Sequence, residues 1–278
     1  MGTTAITREM VQPLVDKHVG NRTFRNQLET IAGPEDLIRV LGRYIQFNGI
    51  FGGGVANLAG ELAIRRDLFR DPEEPIANIA DKSTEVAARV FAAAIDEFDD
   101  RRMPHLDTHR MLAQATLKAT AEYLGIAPGT VVELISRGAH ATTLAIERVK
   151  AGYGISETLN DQRLFRGLGF HMGSEILADA EFNILDAYLK EQWQALAAHL
   201  EKTTVRLSGN KHNAYYWVFI HTSVEADHFE YAADAANTAL RFYAGKDSRG
   251  LAASWIMEGF ERFGAVQSTF MEHLSDTD

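Results

Sequence analysis

The chain has 278 residues, a formal net charge of −10 at pH 7 and a hydrophobic content of 46%. This size is enough for one large hydrophobic core or two small ones, and the negative charge argues against a nucleic-acid-binding surface. The absence of cysteine excludes disulfides, thiolate metal ligands and a cysteine nucleophile. Any metal site must therefore be built from His, Asp and Glu side chains.

The composition also limits the fold class and the location. The N-terminal residues lack the apolar core of a signal peptide, and no uninterrupted apolar run is long enough to span a bilayer. We therefore expect a cytoplasmic protein without a membrane partner. Long segments rich in Ala, Leu, Glu and Arg favour an all-α fold. The only β-leaning run, residues 203–207, is too short to make a sheet alone.

Apolar residues at helical spacing, together with breaker residues, predict a series of helices. Residues 7–32 should form one or two short N-terminal helices with a break at Gly20 and Asn21, and Gly33 and Pro34 should end them. The helices that follow are expected at about 35–68, 76–98, 108–125, 129–152, 169–200, 213–244 and 251–274. We expect one helical domain over 1–278, with a core at about 35–245 and a C-terminal helix at about 251–274, because no domain boundary is apparent.

Three successive glycines, Gly52 to Gly54, interrupt the helix predicted over 35–68. Glycine is a poor helix former, so a kink or a close helix contact is expected at this point. A phosphate-binding loop is the other interpretation. It is disfavoured because no strand precedes the glycines and no Gly-Lys-Ser/Thr follows them.

The strongest functional signal lies in residues 217–228, a predicted helix that carries His221, Glu225 and His228. Their offsets of 0, +4 and +7 place them within a stripe of about 60° on the helix surface. Two imidazoles and a carboxylate suit iron, manganese or zinc. The surrounding residues are mostly apolar, and polar groups inside such a helix are unfavourable unless they are paired or bind metal. The alternative is a core histidine bonded to a backbone carbonyl, together with a surface Glu–His pair.

A second set of candidate ligands lies near residue 100. Asp96 and Glu97 end a predicted helix, and Glu97 is the preferred ligand, although a solvated acidic helix end is the alternative interpretation. Asp107 should cap the next helix. Either His105 or His109 could complete a Glu/His pair. His109 is favoured slightly because the helix would fix it better.

The helix predicted over 169–200 supplies the remaining candidates. Glu175 should point inward, and His171, four residues earlier, shares its face as a ligand or as a partner of a ligand. Glu181 lies about 240° round the helix from Glu175 and is expected to be structural. Arg163 and Arg166 precede this helix and could hold a substrate carboxylate in a bidentate contact, or could simply be solvated.

In chain order the candidates are a Glu, a His, a Glu and a final His-x-x-x-carboxylate-x-x-His. This pattern resembles that of the haem-oxygenase-like di-iron oxidases and oxygenases, over roughly residues 50–245. The resemblance implies a haem-oxygenase-like bundle of about seven core helices, here with extra N-terminal helices, that is often a homodimer. It also implies two Fe(II) ions per chain and O2 as cosubstrate. The implied ligands are Glu97, His109 (or His105), Glu175, His221, Glu225 and His228. Glu225 departs from the pattern, since Asp is common there.

The resemblance further implies oxidation of a small organic substrate. We expect a small polar, amino-acid-derived metabolite that undergoes desaturation, C–C cleavage or N-oxygenation. Arg163, Arg166 and His171 are the candidate substrate contacts. A non-enzymatic all-α protein of the same fold that binds metal or a partner is the alternative, and metal-dependent O2 consumption separates the two.

Overall fold

The computed structural model is described for residues 5–92, 95–99 and 107–277, without the side chains of residue 96 and residues 223–227. The described residues are mostly helical, which confirms the predicted all-α class. The helices are α1 (Arg8–Lys17), α2 (Gly20–Glu29), α3 (Pro34–Asn48), α4 (Phe51–Ala63), α5 (Ala77–Ala80), α6 (Ser83–Ala92), α7 (His109–Leu124), α8 (Pro128–Ser136), α9 (His140–Gly152), α10 (Asp161–Gln192), α11 (Gln194–Lys202), α12 (Tyr216–Phe242) and α13 (Arg249–Glu272). A short 3-10 turn spans Ile95–Glu97.

A β-hairpin connects α11 to α12. Its strands, β1 (Thr204–Leu207) and β2 (Asn210–Asn213), are antiparallel, with Thr204 opposite Asn213. The β-leaning run predicted from the sequence is therefore a strand, and it obtains its hydrogen bonds from a partner four residues long. None of the described helices is both long and apolar enough to cross a membrane.

Helix α10 is the central element, because it packs along both α12 and α13. It carries buried residues from Leu164 to Leu189, as expected for a helix covered on several sides. Two glycines permit the closest approach. A Cβ atom at Gly169 would overlap the carbonyl oxygen of Ile256, and one at Gly259 would overlap that of Arg166. The backbones of α10 and α13 can therefore touch at this crossing.

Several predicted helices are shorter than the apolar pattern suggested. The helix predicted over 76–98 is divided into α5, α6 and the 3-10 turn. The Asp81 carboxylate Oδ1 accepts from the Ser83 backbone N at 3.0 Å and from the Ser83 hydroxyl at 2.7 Å, which starts α6 afresh. The segment predicted over 129–152 is likewise two helices, with Gly138 between them at a φ of 66°.

Other boundaries move because a different residue caps the helix. Asn160 accepts from the backbone N of Arg163 at 2.9 Å, so α10 begins eight residues earlier than predicted. The prediction that Asp107 caps α7 is wrong. Thr108 is the cap, and its hydroxyl accepts from the backbone N of Met111 at 3.1 Å.

Candidate metal centre

Three side chains from separate elements form the candidate metal centre: Glu97 from the 3-10 turn, His109 at the start of α7, and His221 in α12. Oε1 of Glu97 lies 3.0 Å from Nδ1 of His109, and the rings of His109 and His221 are 4.5 Å apart between centroids. One possible ligand atom from each residue lies within 4.8 Å of the others. Two ligand atoms about 2.1 Å from one metal, at right angles, would be about 3 Å apart. The group could hold a metal ion.

The orientation of His221 is set by its own helix. Nδ1 of His221 lies 2.7 Å from the backbone carbonyl oxygen of Trp217. A carbonyl can only accept, so Nδ1 donates and Nε2 is left as the ligand atom. The ring also stacks on Phe182, with centroids 4.0 Å apart and planes at 15°. The bond to Trp217 is also the one expected of a structural histidine. The nearness of Glu97 and His109 is what would allow His221 to take part in holding a metal ion.

A second group of side chains surrounds Glu175. Its Oε1 lies 3.2 Å from Nδ1 of His171, and its Oε2 lies 3.5 Å from Nδ1 of His228. His171 is fully buried and His228 is 8% exposed. One carboxylate thus lies between an imidazole of its own helix and an imidazole of α12. The contact with His171 is the one that a spacing of four on one helix indicated, and the role of Glu175 as a metal ligand stays a prediction.

The two groups face one small cavity, here called the inner cavity. It has a volume of about 40 Å³, which is room for a few water-sized groups and not for an organic substrate. The ionisable side chains that line it are Glu97, Glu175, Glu181, His221 and His228. The rest of the wall includes Phe47, Phe51, Phe182 and Phe263. Carboxylate and imidazole groups that could bind a metal ion therefore meet in an inner cavity whose other walls are largely apolar.

Burial controls the electrostatics next to this cavity. Burial, and then the neighbouring imidazole of His228, lower the pKa of His171 to about 3, against an opposing backbone contact with Val90. His171 is therefore neutral near pH 7. Burial and then the carboxylate of Glu175 raise the pKa of Tyr153 well above its usual value, although a hydrogen bond with Ser174 acts in the opposite direction. Tyr153 consequently keeps its proton.

The glycines of α4 pack against this region. A Cβ atom at Gly52 would lie 3.1 Å from the Cβ of Glu97, and one at Gly54 would overlap the ring of Tyr153. Gly52 and Gly54, but not Gly53, are thus part of a close helix contact, one of the two outcomes that the sequence predicted. The Tyr153 hydroxyl lies 2.9 Å from that of Ser174 and 3.4 Å from Nδ1 of His171.

Sequence reasoning missed the position of Glu181. The prediction that Glu181 is structural overlooked the fact that it lines the inner cavity, where it is 2% exposed. Its carboxylate accepts from the Tyr44 hydroxyl at 2.8 Å and from Nε2 of Gln267 at 2.6 Å. The available signal was its spacing of seven from Ser174, since residues seven apart share a helix face. The prediction considered only the angle between Glu181 and Glu175 on the helix, and so it overlooked the face that Glu181 shares with Ser174.

Two predicted ligands lie outside the described part of the chain: His105, and the side chain of Glu225. For the choice between His105 and His109, the structure gives the contact between His109 and Glu97. The roles of His105 and Glu225 as ligands remain predictions.

The predicted substrate contacts Arg163 and Arg166 lie elsewhere. Arg163 pairs with Glu157, and Arg166 pairs with Glu258 at 2.5 Å. Both arginines line a separate surface cavity with Arg262, and neither lines the inner cavity. Their positions give no support to the prediction that they bind a substrate beside the metal ligands.

No protein-family model matches this chain, and no curated protein matches it.

Proposed function

We propose that this protein is a non-haem di-iron oxidase or oxygenase with a haem-oxygenase-like fold, which uses O2 to oxidise a small polar metabolite. The observation that carries the proposal is the convergence of Glu97, His109 and His221 from three separate elements, with Glu175 and His228 across the inner cavity. Glu97, His109 and His221 lie 12 to 124 positions apart in the chain, and helix periodicity alone does not require them to meet.

The donor set fits iron. Glu97, His109 and His221 are two imidazoles and one carboxylate, the combination typical of oxygenases that keep open coordination positions on Fe(II). Glu175 and His228 supply further oxygen and nitrogen donors, and the absence of cysteine disfavours soft-metal and iron–sulfur sites. Iron bound at these residues would supply the reduction of O2 and the oxidation of an organic substrate.

The chain's own residues would orient the ligands and exclude water. Donation from His221 Nδ1 to the Trp217 carbonyl fixes that imidazole. The phenylalanines around the inner cavity limit access by solvent. The Tyr153 hydroxyl can donate to the Ser174 oxygen at 2.9 Å, because the Ser174 hydroxyl itself donates to the backbone carbonyl oxygen of His171 at 2.7 Å. Nδ1 of His171 then faces the Glu175 carboxylate at 3.2 Å.

The test is anaerobic loading with Fe(II), a count of iron per chain, and then measurement of O2 consumption after rapid mixing. We expect about two irons per chain and fast, iron-dependent O2 consumption in the wild type. The variants His221→Ala and His228→Ala should lose iron while far-UV circular dichroism shows an intact helical fold. His140→Ala is the matched control, because His140 is exposed and lines neither the inner cavity nor the metal centre.

Each other outcome has a defined meaning. Normal iron content in both His221→Ala and His228→Ala would refute the proposed ligand set. One iron per chain would indicate a mononuclear enzyme. Bound iron without O2 consumption would favour the non-enzymatic metal-binding alternative.

A further inference from the structure

A second and larger cavity, here called the outer cavity, also adjoins the Glu97–His109–His221 group. Its volume is about 180 Å³, against about 40 Å³ for the inner cavity. Asn48, Glu97 and His221 line both cavities, and His109 lines the outer one. A molecule in the outer cavity would therefore touch the candidate metal ligands directly, and the inner cavity has no room for such a molecule.

The walls of the outer cavity are largely apolar or bare backbone. Ile45, Phe98 and Trp217 supply the apolar surface. Gly49 and Gly53 supply backbone without side chains, and a Cβ atom at Gly53 would meet no other atom within 4 Å. These walls suit the short apolar body of a small molecule.

One cationic side chain, Arg110, lies among the described residues that line the outer cavity. Its Nη1 donates to the backbone carbonyl oxygen of Ile45 at 3.0 Å, which holds the side chain against α3. A Cβ atom at Gly49 would overlap Nη1, so the glycine provides the space that the guanidinium occupies. A guanidinium has five N–H donors, and one bond to Ile45 leaves enough for a bidentate contact with a carboxylate.

The pairing of Arg110 differs from that of the arginines chosen from the sequence. Arg163 and Arg166 are each engaged by a glutamate. Within the described part of the chain, Arg110 has no carboxylate within ion-pair distance. It is exposed, so an incoming anion can reach it from solvent. A positive group at the mouth of an apolar cavity that leads to metal ligands has the form of a substrate site for an organic anion.

We propose that the outer cavity binds a small monocarboxylate with a short apolar body. The carboxylate lies on Arg110, and the body extends along Phe98 and Trp217 towards Glu97, His109 and His221. This inference rests on the proposed function and names the substrate class of the same site. It moves the substrate-binding role from Arg163 and Arg166 to Arg110. A neutral molecule of the same shape would leave Arg110 without its charged partner and should bind more weakly.

The test uses hexanoate as the probe and hexanamide as its uncharged isostere. Their dissociation constants are measured by isothermal titration calorimetry, anaerobically, with the metal-free and the Fe(II)-loaded protein. We expect Arg110→Gln to weaken hexanoate binding about 10- to 100-fold, the range for loss of a charge-assisted hydrogen bond. Arg110→Lys should recover part of the loss. Arg163→Gln should bind hexanoate like the wild type.

Hexanamide should bind weakly, and to the same extent in every variant. Three results would overturn the inference: no hexanoate binding by the wild type, equal hexanoate binding by Arg110→Gln and the wild type, or hexanamide binding as tight as hexanoate. Hexanoate binding that requires iron and ignores Arg110 would also overturn it, since the carboxylate would then be a metal ligand.

Iron content separates this inference from the proposed function. Arg110→Gln should load iron like the wild type, because Arg110 is not among the proposed ligands. If the wild type fails to load iron, the proposed function fails, while hexanoate binding to the metal-free protein still reports on Arg110. If iron loads normally and Arg110 has no effect on hexanoate, only the substrate assignment fails.

Discussion

Asp107 and His212 are both fully buried, and Oδ1 of Asp107 lies 2.5 Å from Nδ1 of His212. Nε2 of His212 donates to the carbonyl oxygen of Leu207 at 3.3 Å. The pair therefore joins the β-hairpin to the residue two positions before His109. When one partner of a buried ion pair is removed, the other partner's charge stays buried in a medium of low polarity without an opposite charge beside it.

We expect Asp107→Asn to lower the free energy of unfolding by about 3–5 kcal/mol. The measurement is urea denaturation followed by circular dichroism. Asp67→Asn is the control, because Asp67 is 74% exposed where it pairs with Arg65, and loss of such a surface pair should change stability by less than about 1 kcal/mol. Equal effects of the two substitutions would show that the Asp107–His212 pair contributes no more than a surface contact.

At the residue scale, spacing along the sequence predicted which side chains share one face of the same helix. His221 and His228 face the inner cavity, as their spacing on α12 indicated. Asp107 shows the limit of this reasoning. Its side chain is of a type that often caps helices, but it pairs instead with His212, which lies 105 positions further along the chain. Tyr153 was missed for the same reason, since tertiary packing alone brings it to Ser174 and His171.

The crossing of α10 and α13 depends on two glycines that have no side chain to accommodate. We expect Gly169→Ala and Gly259→Ala each to destabilise the protein by about 1–3 kcal/mol, because each added methyl group would overlap a carbonyl oxygen of the facing helix. Differential scanning calorimetry on the two single variants and the double variant measures the effect. The double variant should lose less than the sum of the single losses, because the first substitution already separates the helices.

Gly60→Ala is the matched control for this crossing. Gly60 is exposed within α4, and a Cβ atom there would meet no other atom within 4 Å. This substitution should stabilise the protein by about 0.4–1 kcal/mol, since alanine is the better helix former. If Gly169→Ala behaved like Gly60→Ala, the backbones of α10 and α13 would not be in contact in solution.

At the element scale, helix type was predictable and helix ends were not. Apolar periodicity extended one helix over 76–98, but it contains no information about the carboxylate of Asp81, which bonds to Ser83 and starts a new helix. The same holds for Trp193, where φ and ψ of −124° and 41° separate α10 from α11. These breaks depend on single side chains and backbone angles, whereas periodicity averages over several turns.

For the whole molecule, the all-α class followed from composition, but the convergence of the helices could not. Glu97, His109 and His221 lie in three elements, and only the packing of α7 and α12 brings them within 4.8 Å. Chain order and ligand types suggested that such a group exists. The pairings, such as His109 with Glu97 and His228 with Glu175, depend on how the helices are rotated against one another, which a single sequence does not reveal.

Because the candidate ligands come from distant parts of the chain, metal binding at the proposed site should stabilise the whole fold. Unfolding separates Glu97, His109 and His221, so Fe(II) should bind the folded chain far more tightly than the unfolded chain. At free Fe(II) about 100 times its Kd, the gain is about 2.7 kcal/mol, or roughly 5 °C in Tm for a chain of this length. Anaerobic calorimetry with and without a chelator measures it.

The wild type and His140→Ala should show this rise in Tm, and His109→Ala should lose most of it. The comparison at equal Fe(II) concentration is decisive, because His140 and His109 offer the same imidazole and only His109 belongs to the group that folding assembles. A wild type that binds iron with no change in Tm would mean that the ion has equal affinity for the folded and unfolded chains. The metal would then not occupy a site made by the packing of α7, α12 and the 3-10 turn.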